Sequence, residues 1–185
     1  IILPNEDLSF KMFLFEGKNG NYVRGKHWHR SIEIFAIFEG SLRFFLNEEE
    51  YKMNAGEFLL VNSNEVHSIF SPKPNVTVVI QIPLVVFKKY YTNEPFISFS
   101  HEPRVRNQEL MKLMHKMYDT YVKKECGYEF RVQSYFYELL YTLVTEYRNT
   151  DITPEAVKSY QKLSRLTEIT DYIKKNYQPL FDYTL

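Results

Sequence analysis

Apolar residues recur at every second position along the first part of the chain and at helical spacing along the last. From Leu8 to about Ile82 the runs LSFKMFLFE, GKHWHRSIEIFAIFEG, SLRFFLN, EEEYKMN, AGEFLLVN, EVHSIFS and VTVVIQI predict short strands separated by turns. Their spacing suits an antiparallel barrel or sandwich. Gly17, Asn19, Gly20 and Asn21 form a loop cluster, Gly40 and Gly56 read as turn residues between apolar runs, and SPKPN at 71–75 is a prolyl loop. Glu48, Glu49 and Glu50 read as a solvated hairpin tip.

After about residue 104 the period changes. Leu110, Leu113, Met114, Met117, Tyr118 and Tyr121 trace one helical stripe, and after a break at Gly127 so do Val132, Tyr135, Phe136, Leu139, Leu140, Leu143, Val144 and Tyr147. The short break predicts an antiparallel helical hairpin. Its stripes must be covered by the strands, by each other or by a second copy of the chain. The polar stretch NTDITPEA predicts a linker, and a last helix carries Leu166, Ile169, Ile173 and Tyr177 until Pro179 closes it.

Composition narrows the function classes. Lys plus Arg and Asp plus Glu both number 23, so no net basic field draws the chain to nucleic acid or to an anionic membrane. The single cysteine, Cys126, excludes an intramolecular disulfide and a cysteine-rich zinc module, which fits a reducing, cytoplasmic setting. The longest apolar stretch, VTVVIQIPLVVF, is too short to span a bilayer.

Candidate chemistry concentrates in HWHRSIEI, residues 27–34. On a regular strand, side chains alternate between faces, so His27, His29 and Glu33 would share one wall. Imidazole and carboxylate together suit a divalent cation such as zinc, manganese, nickel or iron, and His67 is available as a fourth ligand. The same residues also read as the polar wall of an organic pocket.

GKHWHRSIEIFAIFEG has the order HxHxxxE followed by Gly40 and resembles the first motif of the cupin barrels. GEFLLVNSNEVH resembles the second, with Gly56 and His67 at its spacing; Asn62, Asn64 and Ser71 replace its proline, glycine and asparagine. The tail SRLTEITDYIKKNYQPLFDYTL, with Ile169, Tyr172, Ile173, Asn176, Tyr177, Phe181 and Leu185, resembles the opening helix of the DNA-binding half of AraC-type transcription regulators. The resemblance implies a mainly β fold with added helices. It divides into a cupin-like antiparallel β-barrel (double-stranded β-helix) at 1–103, a dimerising hairpin at 104–149, a linker at 150–163 and the truncated start of a helix-turn-helix domain at 164–185.

The function it implies is an effector-sensing, homodimeric regulator rather than an enzyme, responding to a sugar or similar metabolite and reaching DNA only through the missing C-terminal domain. Expected ligand contacts are His27, His29, Glu33, Phe35 and His67, with no catalytic residues; the expected dimer surface is Phe136, Leu140, Leu143 and Tyr147, for which packing against the barrel is the alternative. The competing reading is a metal-dependent cupin oxygenase or isomerase built on the same histidines and glutamate.

Overall fold

The computed structural model describes residues 8–17, 22–47, 49–91, 96–101 and 107–177. The predicted roles of Asn19, Gly20, Asn21, Glu48, Pro179, Phe181 and Leu185 lie outside them. The chain divides into two compact units, residues 1–149 and 150–185.

The first unit is mainly β, with helices after the strands, as predicted. Its strands are β1 (Lys11–Glu16), β2 (Tyr22–His27), β3 (Ser31–Leu46), β4 (Glu49–Asn54), β5 (Phe58–Val61), β6 (His67–Ser71) and β7 (Asn75–Pro83). They form one curled antiparallel sheet in the order β1-β7-β3-β6-β2, with β4 and β5 also paired to β3. Gly40 is not the turn predicted between two strands. It sits inside β3 at φ +73, where a Cβ would stand 2.3 Å from the Pro74 carbonyl oxygen, so both the backbone angle and the close approach require glycine. The strand bends there: its first half pairs with β5 and β7, its second with β4 and β6.

Alternation along β3 builds two cores. Ile32, Ile34 and Ala36 face the helices together with Val78, Ile80 and Ile82. Phe35 and Ile37 face the concave interior, where they meet Phe44, Leu46, Tyr51, Ile69 and Val79.

The helical layer is α1 (Gln108–Lys123), capped by the Asn107 side chain accepting from the Leu110 N–H at 3.0 Å, and α2 (Tyr128–Thr142), which runs on into a π-helical turn at Leu143–Tyr147. Lys124 and Gly127, both left-handed, turn the chain between them. Phe136, Leu143 and Tyr147, expected at a dimer surface, are buried in this unit's own core, and Leu140 packs partly against it. The reason is the helix-side face of the sheet, whose Ile and Val row needs an apolar cover that α1 alone does not supply. The ring of Phe136 stacks on Phe10 at 4.0 Å.

The second unit holds α3 (Pro154–Tyr177). The helix starts inside the predicted linker 150–163, with Pro154 in its first turn, where a missing N–H costs nothing. Leu166, Ile169 and Tyr172 on it are exposed. No described helix is long and apolar enough to cross a membrane.

A buried histidine and glutamate cluster at the strand ends

His27, His29 and Glu33 do not share a strand. His27 ends β2, His29 lies in the connection Trp28–Arg30, and Glu33 is inside β3. Register brings them together instead. His27 lies opposite His67 on β6, and Glu33 lies opposite Gln81 on β7. The Asn64 N–H fixes the connection by donating to the His29 carbonyl at 2.8 Å.

The four side chains meet around one point. Glu33 Oε2 is 2.6 Å from His29 Nε2 and 3.3 Å from His67 Nε2, and the His27 and His67 rings are 4.1 Å apart. Each histidine sets its Nδ1 against a backbone carbonyl: Gly25 for His27 at 2.9 Å, Ser31 for His29 at 3.2 Å and Glu65 for His67 at 3.0 Å. A carbonyl only accepts, so Nδ1 carries the proton and, in the neutral ring, Nε2 presents a lone pair. Neither His29 Nε2, His67 Nε2 nor Glu33 Oε2 makes an aligned hydrogen bond, although all three are buried and close.

Charge follows from these contacts. Burial pushes the Glu33 carboxyl up, but His29 and His67, with Gln81 donating to it, outweigh burial and hold it well below the usual carboxylate range, so it is ionised. Burial lowers His27, and the nearby His67 and Arg24 lower it further against the Gly25 carbonyl. Its Nε2 lone pair accepts from Arg24 Nε at 3.1 Å.

The donor set fits a divalent cation. The ligand atoms of His27, His29 and His67 lie within 4.8 Å of one another, an ionised carboxylate stands beside them, and the backbone carbonyls of Gly25, Ser31 and Glu65 fix the tautomers. Phe35 stands 6.1 Å from His67; Phe44, which the sequence did not single out, stacks on His67 at 5.6 Å. A groove of about 690 Å³ bordered by Lys26, Phe45, Asn47, Val66, His67 and Ser68 lies behind the cluster. Phe45 and Ser68 are register partners on the outer side of the sheet, opposite in sense to the buried pair Leu46 and His67, so this groove is not the interior site.

The three motif departures have local explanations. Asn64 adopts φ 65, a left-handed angle that asparagine tolerates better than other side chains with a Cβ. Ser71 Oγ donates to the Lys73 carbonyl at 2.8 Å and accepts from Asn75 Nδ2 at 2.5 Å. The buried Asn62 amide mimics a strand edge, donating to the Phe99 carbonyl at 3.0 Å and accepting from its N–H at 2.7 Å. Segment 96–101 is thereby fastened to the turn that carries Asn64. On its other side the Ser100 N–H donates to the Tyr147 carbonyl at 2.7 Å and the Asn149 N–H to the Ser98 carbonyl at 3.0 Å.

His101, which matched no motif, bonds Glu65 Oε1 at 2.9 Å and the Leu60 carbonyl at 3.0 Å. Burial raises Glu65, but His101 and the Asn62 N–H bring it below its ordinary value; burial lowers His101, but Glu65 and Leu60 bring it above its own. The Glu65 contribution to stability is therefore present above the unfolded carboxylate value and lost as pH falls through the depressed one. That of His101 is present below about pH 6.5 and lost as pH rises through the raised value. Chemical denaturation should show more stability at pH 6 than at pH 8.5, and His101→Gln should flatten that fall; an unchanged slope would rule the clip out as its source.

Comparison with known proteins places these observations. The AraC-like ligand binding domain family matches residues 9–140. Among solved structures, a cupin superfamily protein from Desulfitobacterium hafniense is similar at 14% identity over 45% of this chain and 74% of that one, with a TM-score of 0.41. A cupin-2 domain containing protein from Shewanella frigidimarina is similar at 16% identity over 43% and 76%, with a TM-score of 0.38. A conserved protein of unknown function from Streptococcus pyogenes is similar at 12% identity over 41% of this chain, with a TM-score of 0.39; the match spans 66% of that protein. No curated protein matches the sequence.

Proposed function

Because the chain belongs to the AraC-like ligand-binding domain family, we propose that it is the effector-sensing and dimerising part of a DNA-binding transcription regulator. The observation that carries the reading is the cluster itself: His29 Nε2, His67 Nε2 and Glu33 Oε2 are buried, convergent and without aligned partners. A buried polar atom left this way costs roughly 1–3 kcal/mol, which an occupant would return as binding energy.

His27, His29, Glu33, Phe35 and His67 are the proposed contacts of that occupant. A divalent cation held by His29, His67 and Glu33 would supply a Lewis-acidic anchor for an oxygen of the effector. Around it this chain's own groups orient and exclude: the backbone carbonyls fix the imidazoles, Gln81 holds the carboxylate, and Phe35 and Phe44 keep water from the floor. The segment fastened by Asn62 supports an output route, since it joins the turn behind His29 to Tyr147 and Asn149, after which the chain leaves this unit. The exposed Leu166, Ile169 and Tyr172 of α3 are what the first helix of a helix-turn-helix domain would bury.

A metabolite panel screened by thermal unfolding tests the sensor reading. A ligand at 100 times its Kd should stabilise the wild type by about 2.7 kcal/mol and leave a His29→Ala, His67→Ala variant unmoved, and it should be recovered chemically intact. Conversion of the ligand would favour the enzyme reading.

Dimerisation falls to the face of α2 that the core leaves open. Phe130, Tyr137 and Tyr141 are 83%, 67% and 69% exposed along it, beside the half-buried Leu140. Tyr137→Asp with Tyr141→Asp should convert a dimer to monomer in sedimentation equilibrium while leaving the melting of the monomer unit intact; a variant that stays dimeric would place the interface elsewhere.

A further inference from the structure

The longest run of paired strands in the curled sheet ends at β1 and β2, while β4 and β5 pair with β3 alone. Residues opposite one another across a strand pair face the same side. On β1, Lys11, Phe13 and Phe15 lie opposite Gln81, Val79 and Thr77, and Val79 belongs to the interior core while Gln81 reaches Glu33. On β2, Tyr22, Arg24 and His27 lie opposite Ser71, Ile69 and His67, of which Ile69 belongs to the same core. Both edges therefore present these side chains to the interior.

Their order along the opening is also fixed. Glu33 touches both Gln81, the partner of Lys11, and His67, the partner of His27, so the Lys11 and His27 ends of the two strands lie over the cluster. At the other end, the rings of Phe15 and Tyr22 meet edge to face at 4.7 Å.

The opening thus has aromatic walls, the half-buried Phe13 and Phe15 with the exposed Tyr22, and a cation on each rim, Lys11 and Arg24, both exposed. Among the described residues its interior carboxylate is Glu33, which faces His29, His67 and the Gln81 amide rather than either cation. Among the described residues the hydrogen bond of Arg24 is made through Nε to His27, which leaves the paired end of its guanidinium available for a ligand. Two cations without an interior counter-charge attract an anion, and half-buried rings favour an apolar body behind it.

Resting on the sensor reading above, we infer that the effector enters between β1 and β2 and is an organic anion, its carboxylate or similar group held by Arg24 and Lys11 and its body against Phe13, Phe15 and Tyr22. A neutral sugar, the class the sequence suggested, neutralises neither rim cation.

The test compares two fluorescent probes with a common aromatic body: 8-anilinonaphthalene-1-sulfonate, an anion, and N-phenyl-1-naphthylamine, which is neutral. The wild type should bind the sulfonate saturably and more tightly than the neutral dye. An Arg24→Gln, Lys11→Gln variant, altered only at exposed positions and confirmed folded by circular dichroism, should bind the sulfonate roughly tenfold or more weakly and the neutral dye as before. Equal sulfonate affinity in the variant, or a neutral dye bound as tightly by the wild type, would overturn the anionic class while leaving the sensor reading intact. If neither dye binds the wild type, the opening is not a ligand entrance, and both readings fall.

Discussion

Phe136→Ala should lower the stability of the chain by about 3–5 kcal/mol, the cost of emptying a fully buried aromatic site. The ring is 1% exposed, stacks on Phe10 and lies among Val132, Leu139 and Leu143 against the helix-side face of the sheet. That loss is a large share of the roughly 5–15 kcal/mol that holds a domain together. It should appear as a lower denaturant midpoint at an unchanged slope, and at the same size at every protein concentration, because the cavity opens within one chain. A cost under about 1 kcal/mol accompanied by dissociation would instead return Phe136 to a dimer interface.

Glu33→Ala should cost about 1–3 kcal/mol, for the opposite kind of reason. Here little apolar packing is lost. The substitution removes the acceptor of the Gln81 amide and the carboxylate around which the His29 and His67 rings are set, leaving polar groups buried against an emptied space. Glu33→Gln keeps the volume and one acceptor oxygen, so it should cost clearly less in stability while still lowering the affinity for any divalent cation by roughly 10–100-fold. Denaturant titration of both variants, each stripped of metal, checks the order; a neutral Glu33→Ala would mean that the four side chains are not coupled.

The sequence carried much of this account, and its failures have physical causes. Period-2 alternation located the strands and helical spacing located α1 and α2, because burial on one face leaves a regular trace. Alternation misled at HWHRSIEI: the spacing of His27, His29 and Glu33 suits one strand, yet the chain leaves β2 at His27 and, through the polar run His29–Arg30–Ser31, enters β3 at Ser31. The same residues converge through cross-strand register, which no local spacing encodes. Gly40 read as a turn because a glycine between apolar runs marks either a turn or a bend within one strand, and only the approach of Pro74 decides between them. Phe136, Leu143 and Tyr147 were read as a dimer stripe with packing against the barrel as the alternative, and their burial within one chain favours the alternative, since a stripe does not state what packs on it. Lys11 and Arg24 carried no signal, because two exposed cations become a pair only once the sheet curls their edges together.

The sensor proposal requires that His27, His29, Glu33 and His67 form one site facing a single occupant. The most direct measurement is a long-range proton–nitrogen NMR spectrum of the imidazoles at neutral pH, recorded before and after one equivalent of Zn²⁺. The account predicts rings protonated at Nδ1 with unprotonated Nε2, and Nε2 signals of His29 and His67 that shift together on addition of the ion. Rings protonated at Nε2, or fully protonated rings that ignore the ion, would contradict it and reduce the cluster to a hydrogen-bonded patch on the wall of the barrel.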